Sequence, residues 1–337
     1  MSPFTVTRLL PSDDTTAALH ADVRRGLGAT PKSLPPKWFY DARGSLLFEQ
    51  ITELPTYYAT RAERDLLSTR AGDIAEATGA RTLIELGSGS SSKTRLLLDA
   101  LPHLHTYIPV DVSESALRDA GTVLARERPA LTVQALIADF TNRLTLPPAP
   151  GPRIVALLGS TIGNLMPVQR AAFYALVREL LEPGDTLLLG VDLVKSEDVL
   201  VAAYADQAVT GQFNANVLRV LNRELNADFD LDAFEHVALW DARRAWIEMR
   251  LRSRLAQTVK IPALDMAVSF AEGEDLLTEI SAKFTVPGLA SELRCAGLDL
   301  ARWFCAPAQL VGLALATPVR SLHDCLHATG RSTACIR

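Results

Sequence analysis

Three acidic residues, Glu85, Asp111 and Asp139, stand at the ends of three successive short apolar runs, and a glycine-rich turn follows the first. The stretch Thr82-Leu83-Ile84-Glu85-Leu86-Gly87-Ser88-Gly89-Ser90-Ser91-Ser92-Lys93-Thr94 reads as a buried strand, a Gly/Ser turn and a helix that Pro102 stops. Gly87 and Gly89 let the backbone turn sharply and come close to a ligand. The serines suit a helix N-terminus, where free N–H groups take anions or polar ligand edges. Asp111 ends the run Thr106-Tyr107-Ile108-Pro109-Val110-Asp111, at about the spacing where an acid meets ribose hydroxyls. Asp139 and Phe140 end a third run, Ala135–Phe140. The acid there can accept from an adenine amino group while the Phe140 ring covers the base. One acid at a strand end is ordinary, but three in succession point to a ligand containing a nucleoside.

The dinucleotide fingerprint G-x-G-x-x-G fails, because Ser92 stands where its third glycine belongs. The acid ahead of Gly87 resembles instead the E/D-x-G-x-G loop of S-adenosylmethionine (SAM) methyltransferases, in which the turn holds the amino-acid half of the cofactor. Lys93 can pair with the methionine carboxylate of that cofactor.

The elements that must position these residues follow from the alternation of strand and helix patterns over 60–195. Strands are expected over 82–86, 106–111, 131–138, 153–158 and 185–191, and helices over 90–101, 113–127 and 167–181. Pro183-Gly184 ends the last helix before its strand. Such alternation means a parallel sheet covered on both faces. Gly163-Asn164 follows the fourth strand, at the edge where open sheets bind ligands. Residues 196–284 change character, with helical patterns over Glu197–Gln207 and Asn214–Leu225 and a pair of strands over His236–Asp241 and Ala245–Arg254. A helix over Leu289–Ala296 and two strands, Leu300–Phe304 and Leu310–Ala316, then return to the sheet. Residues 1–36 are polar and Pro-containing, with one helix from Asp13 or Asp14 to Arg25.

The 337 residues are 48% hydrophobic, enough for a sizeable core in one large domain or two. A net charge of −5 argues against a nucleic-acid partner, which wants a basic face. The first residues carry no basic-then-apolar signal pattern, and no apolar run approaches membrane-spanning length. Cys295, Cys305, Cys325 and Cys335 form no C-x-x-C pair, which fits a reduced, cytoplasmic protein without structural zinc. His323, Cys325 and His327 lack zinc-site spacing, and a mobile tail is the expectation for 317–337.

Aromatic residues are 6% of the chain, yet several cluster between Trp38 and Tyr58. This segment, Lys37–Glu63, together with Leu83–Thr94, resembles the histidine-specific Nα-methyltransferases of the ergothioneine pathway. The resemblance continues through Leu158–Leu165, Gln212–Leu218, Asn222–Leu225, Glu248-Met249-Arg250 and Thr278–Phe284, and spans roughly residues 30–315. It implies SAM as cofactor and L-histidine as substrate, converted to its trimethyl betaine hercynine by an enzyme expected to be a monomer. It also implies a class I SAM-methyltransferase Rossmann-like α/β sheet, built from 61–195 and 285–316. The second domain, which binds substrate, would be discontinuous, built from 1–60 and 196–284.

By the same resemblance Asn164 holds the amino-acid moiety of the substrate and Tyr204 its carboxylate. Tyr57, Glu279 and Ser281 face the imidazole, with Met249 nearby. Tyr40, Gly87, Lys93, Asp111, Asp139 and Phe140 hold the cofactor. By period alone Glu279 and Ser281 share one face of a strand, and without the resemblance that face would read as exposed. An alternative keeps the fold and changes the amino acid, for instance to tryptophan; an apolar residue at 279 would favour it. The alternative of another class is a dinucleotide-dependent oxidoreductase.

Overall fold

The structure, a computed structural model, describes residues 4–10, 14–89, 91 and 93–319. Strand β1 (Phe4–Arg8) precedes a helix over Asp14–Leu27, the two-residue β2 (Lys32–Ser33), and helices over Ala42–Glu53 and Ala59–Thr78. The expected alternation then follows as β3 (Thr82–Leu86), β4 (Thr106–Asp111), β5 (Thr132–Ile137), β6 (Arg153–Leu157) and β7 (Thr186–Asp192). These five pair parallel in the order β5-β4-β3-β6-β7. Every residue of β3 and β7 is buried, as parallel strands covered on both faces require. The order reverses direction between β3 and β6, and the carboxyl ends at such a switch point form a crevice.

After β7 come helices over Glu197–Tyr204 and Thr210–Leu225, then β8 (Phe234–Asp241), β9 (Trp246–Ser253), β10 (Gln257–Ile261), β11 (Met266–Phe270) and β12 (Asp275–Ala282). Strands β8, β9 and β12 form a small antiparallel sheet that β2 joins parallel at its edge, while β10 and β11 make a separate hairpin. Phe213, Val217, Leu221 and Leu225 recur at helical spacing and face a core shared with Phe39, Ile247 and Leu276. A helix over Val286–Cys295 then leads to β13 (Leu298–Cys305) and β14 (Val311–Pro318). β14 inserts antiparallel between β7 and β13, so the hairpin expected at one sheet edge is present. Among the described residues no helix is long and apolar enough to cross a membrane.

The two sheets are joined at the carboxyl end of β7. Leu193 bridges to Phe284, the Phe284 N–H donates to the Asp192 carbonyl at 2.8 Å, and the Val194 N–H donates to the Phe284 carbonyl at 3.1 Å. The strand carrying Glu279 and Ser281 is thereby held beside the crevice of the large sheet.

Three expectations change. Residues Phe4–Arg8, assigned with 1–60 to the substrate-binding part, instead pair parallel with β5 and extend the large sheet to eight strands. Phe4 and Val6 pack on Leu117, Ala135 and Ile137, an alternation too short to read in a polar segment. The helix expected over 90–101 begins only at Thr94, because Ser91 takes a left-handed φ of 53° that no α-helix admits. Hairpin β10–β11 was not expected at all. The tail residues His323, Cys325 and His327 lie outside the described residues.

Candidate active site

The carboxyl edge of β3, β4 and β5 brings Gly87, Asp111, Asp139 and Phe140 together. Gly87 has a φ of 66° and Gly89 one of 49°, conformations that glycine adopts without the Cβ penalty. The Gly89 N–H donates to Asp111 Oδ2 and the Ser113 N–H to Asp111 Oδ1, each at 2.9 Å. Asp111 therefore braces the turn while keeping lone pairs for a ligand. The Asp139 carboxylate takes the Thr141 N–H and hydroxyl on one oxygen. Phe140 packs edge-on against Phe173 at 6.1 Å, and a Cβ on Gly87 would sit 3.3 Å from its ring.

Glu85, the acid of the loop motif, lies beneath the turn. It is buried and accepts from the hydroxyls of Thr94 and Tyr107. Burial raises its carboxyl to about 7, against the opposing effect of those hydrogen bonds and of Lys93. Its part is to tie turn to helix. Lys93 reaches the same edge as an ion pair with buried Glu63. Glu63 also accepts the Gly159 N–H at 2.7 and 2.9 Å.

The residues expected on the substrate side come from five separate elements. Tyr57 meets Tyr204 edge-on at 5.9 Å, and the Tyr204 hydroxyl lies 2.8 Å from Ser281 Oγ. Tyr204, the last residue of its helix, is buried in the core around that helix. Glu279 is 8% exposed and its Oε2 has no hydrogen-bond partner. Burial pushes its carboxyl up to about 8, opposed by the charge of Lys283. Met249 stands opposite Glu279 in the β9–β12 register. Asn164 ends the one-turn helix Thr161–Asn164. Gly163 brings that turn onto β12, since a Cβ there would lie 2.8 Å from the Ala282 carbonyl oxygen.

Tyr40 stands between the two groups. Its ring meets Phe48 at 5.8 Å and Phe213 at 5.4 Å. Burial of its phenol end, then the charges of Glu279, Tyr57, Asp111 and Tyr204, raise its pKa well above the usual range, although 38% of the residue is exposed. The charges that raise it come from both the Asp111 side and the Glu279 side. The residues on either side of it are held by Asn216, whose amide donates to the Phe39 carbonyl and to Asp41 Oδ1, each at 2.9 Å.

Residues 19–318 match the model of a family described as histidine-specific methyltransferase, SAM-dependent. The chain belongs to this family. It is 54% identical over 311 residues to the histidine N-alpha-methyltransferase of Mycolicibacterium smegmatis, covering 91% of this chain and 97% of that one. Identity to the histidine N-alpha-methyltransferase of Mycobacterium tuberculosis is 52% over 303 residues, covering 89% and 94%. An L-tryptophan methyltransferase of Psilocybe serbica is 28% identical over 323 residues, covering 84% of this chain and 88% of that one. Membership sets aside the dinucleotide oxidoreductase.

For a SAM-dependent histidine-specific methyltransferase the donor set fits its cofactor. A Cβ at Gly89 would meet nothing within 4 Å, so the turn faces open space. The buried Ser88 Oγ in that turn has no protein partner. Two carboxylates, one cation and an aromatic ring surround the edge, in keeping with the hydroxyls, amino group, carboxylate and base of SAM.

The structure adds residues that sequence reasoning did not single out in this methyltransferase. Asp192, at the end of β7, accepts from the Tyr58 hydroxyl at 2.8 Å and pairs with Lys195 and with Lys283, the latter at 2.8 Å. Burial works against its charge, but the two lysines hold its carboxyl below the usual range. Lys283 Nζ also reaches the Tyr204 hydroxyl at 2.9 Å and Ser281 Oγ at 2.8 Å. Two signals were in reach. Asp192 is a fourth acid at a strand end, and Lys283 continues the period-two face of Glu279 and Ser281.

Proposed function

We propose that this protein transfers methyl groups from SAM to the α-amine of L-histidine, three in succession, giving hercynine, the betaine of the ergothioneine pathway. The observation that carries this reading is Glu279: a buried carboxyl with an unpartnered oxygen, set beside Tyr57, Tyr204, Ser281 and Met249, next to the cofactor edge. A buried acid without a partner is costly, and a ring N–H removes that cost. An imidazole supplies one, whereas a phenyl ring does not.

When bound, SAM supplies an electrophilic methyl on a sulfonium whose charge also disfavours the substrate ammonium. Asn164 offers donor and acceptor to the amino-acid moiety, and Tyr204 donates to the carboxylate. Tyr57, Glu279 and Ser281 hold the imidazole, with Met249 filling the space beside Glu279. Asp111 takes the ribose hydroxyls, Asp139 and Phe140 the adenine, and Lys93 with the Gly87 turn the methionine end. Tyr40 lies on the cofactor side, next to the substrate residues. No strong base is needed once the amine is neutral, so fixing the lone pair in line with the methyl does most of the work.

The test is incubation with SAM and each of the twenty amino acids, read by mass spectrometry. Histidine is expected to gain three methyl groups. Methylation of another amino acid with histidine untouched would overturn the reading.

A further inference from the structure

Lys283 is wholly buried, and its three N–H donors are all engaged, with Asp192 Oδ2 at 2.8 Å, Ser281 Oγ at 2.8 Å and the Tyr204 hydroxyl at 2.9 Å. Among the described residues the Tyr204 and Ser281 hydroxyls bond only to Lys283 and to each other, at 2.8 Å. Each hydroxyl has one proton to give and accepts through its lone pairs. One of the two protons is spent on the Tyr204–Ser281 bond, so the pair keeps a single proton for a ligand. If Tyr204 gives it, Ser281 must donate to Tyr204, and the one group left on Ser281 is a lone pair.

A phenol is a stronger acid than an alcohol and so the better donor to an anion, and the charge behind the pair attracts one. Asp192 is the one carboxylate shared by Lys195 and Lys283. Glu279, another acid near Lys283, is pushed up to about 8 by burial against the opposing charge of Lys283, so it balances the second cation less than Asp192 does. The Lys283 ammonium stands behind both hydroxyls, 2.8 Å from Ser281 Oγ and 2.9 Å from the Tyr204 hydroxyl, and favours an anion in front of the pair.

We propose that Lys283 is a positioning residue that polarises the Tyr204–Ser281 pair, so that Tyr204 donates to the substrate carboxylate and Ser281 turns an acceptor toward the imidazole. This rests on histidine being the substrate. It narrows the role of Ser281, which from its chemistry alone could donate or accept. Both ring nitrogens then carry a proton, one given to Ser281 Oγ and the other to Glu279, so the ring is held as its imidazolium.

The test compares L-histidine with L-histidinol, which lacks the carboxylate, in the wild type, Lys283→Met and Lys283→Met/Asp192→Asn. The double variant leaves no unpaired buried carboxylate and serves where the single one fails to fold. Kd is read by calorimetry with S-adenosylhomocysteine saturating, and kcat and KM with SAM. Both variants should weaken histidine binding by about thirtyfold, with KM rising far more than kcat falls. Histidinol binding should weaken by less than about threefold, and S-adenosylhomocysteine binding should stay the same. Equal losses for histidine and histidinol, or unchanged histidine affinity, would overturn the inference while leaving the proposed function standing. A wild type that does not methylate histidine would overturn both.

Discussion

Met249 and Glu279 stand directly opposite each other across the antiparallel β9–β12 pair, both buried and on one face. That pairing depends on a bulge between Leu277 and Glu279. The extra residue, Thr278, is fixed by its hydroxyl, which donates to Asn214 Oδ1 at 2.6 Å and to the Met249 carbonyl at 2.9 Å. Without the bulge a one-residue slip would send Glu279 to the other face of the sheet. An acid and a pliable thioether thus share the end of the proposed site assigned to the substrate ring.

The pair should set ring selectivity. Glu279→Ala is expected to lower kcat/KM for histidine by about a hundredfold, near 2.7 kcal/mol, and to narrow the gap to phenylalanine and tryptophan. Adding Met249→Val should make room for an indole. The check is kcat/KM for the three amino acids in the wild type and both variants; a constant ratio of histidine to tryptophan would place the imidazole elsewhere.

Asp111 should matter to the cofactor more than to the substrate. Asp111→Ala is expected to weaken SAM binding by about 1–3 kcal/mol, the scale of lost charge-assisted hydrogen bonds. Histidine affinity measured with S-adenosylhomocysteine at saturation should change less. Part of the loss comes through the turn, because Asp111 also accepts the Gly89 N–H. Calorimetry on a folded variant decides, and unchanged SAM binding would leave Asp111 a mere strand end.

Gly163 should be intolerant of any side chain. A Cβ would lie 2.8 Å from the Ala282 carbonyl oxygen and 3.2 Å from its nitrogen, both backbone atoms that cannot swing away. Gly163→Ala is expected to cost about 1–3 kcal/mol of stability in urea unfolding and to raise KM for histidine, by pushing Asn164 off β12. SAM affinity is the internal control and should hold.

Stability should carry a signature of Glu279. Burial raises its carboxyl from the usual 4.5 to about 8. The folded protein therefore binds this proton more tightly than the unfolded chain does. The resulting stability is full below about pH 4.5 and is lost as pH rises through about 8. Glu279→Gln should remove that loss, so the wild type should fall relative to the variant as pH goes from about 5 to about 8. Glu85, raised to about 7, titrates in the same window but is common to both proteins and cancels in the difference. Unfolding midpoints across that range give the answer, and a flat difference would mean that Glu279 is ionised in the native state.

The chain by itself determined the edge proposed here for the cofactor. Glycines at 87 and 89 and acids at 85, 111 and 139 all sit within a few residues of strand ends that local apolar runs define. Such features are short-range, and period and turn chemistry carry them. The same local rules place Asn164 after β6 and Glu279 with Ser281 on one strand. Tertiary structure alone decided the rest. Whether the 279/281 face is exposed or buried depends on β12 lying against the Gly163 turn, more than a hundred residues earlier in the chain. The partner of Lys93 is Glu63, admitted beside the sheet because Gly190 has no side chain there; a Cβ would come within 1.8 Å of Glu63 Oε1. β1 found its place only because the β5 edge was open to a short half-buried strand. The cluster of Tyr58, Asp192, Lys195 and Lys283 joins three distant segments whose charges, taken singly along the chain, look like ordinary surface residues. Burial binds them into one cluster, because in a low-dielectric interior each ionised group must find a partner, and only the folded chain supplies one.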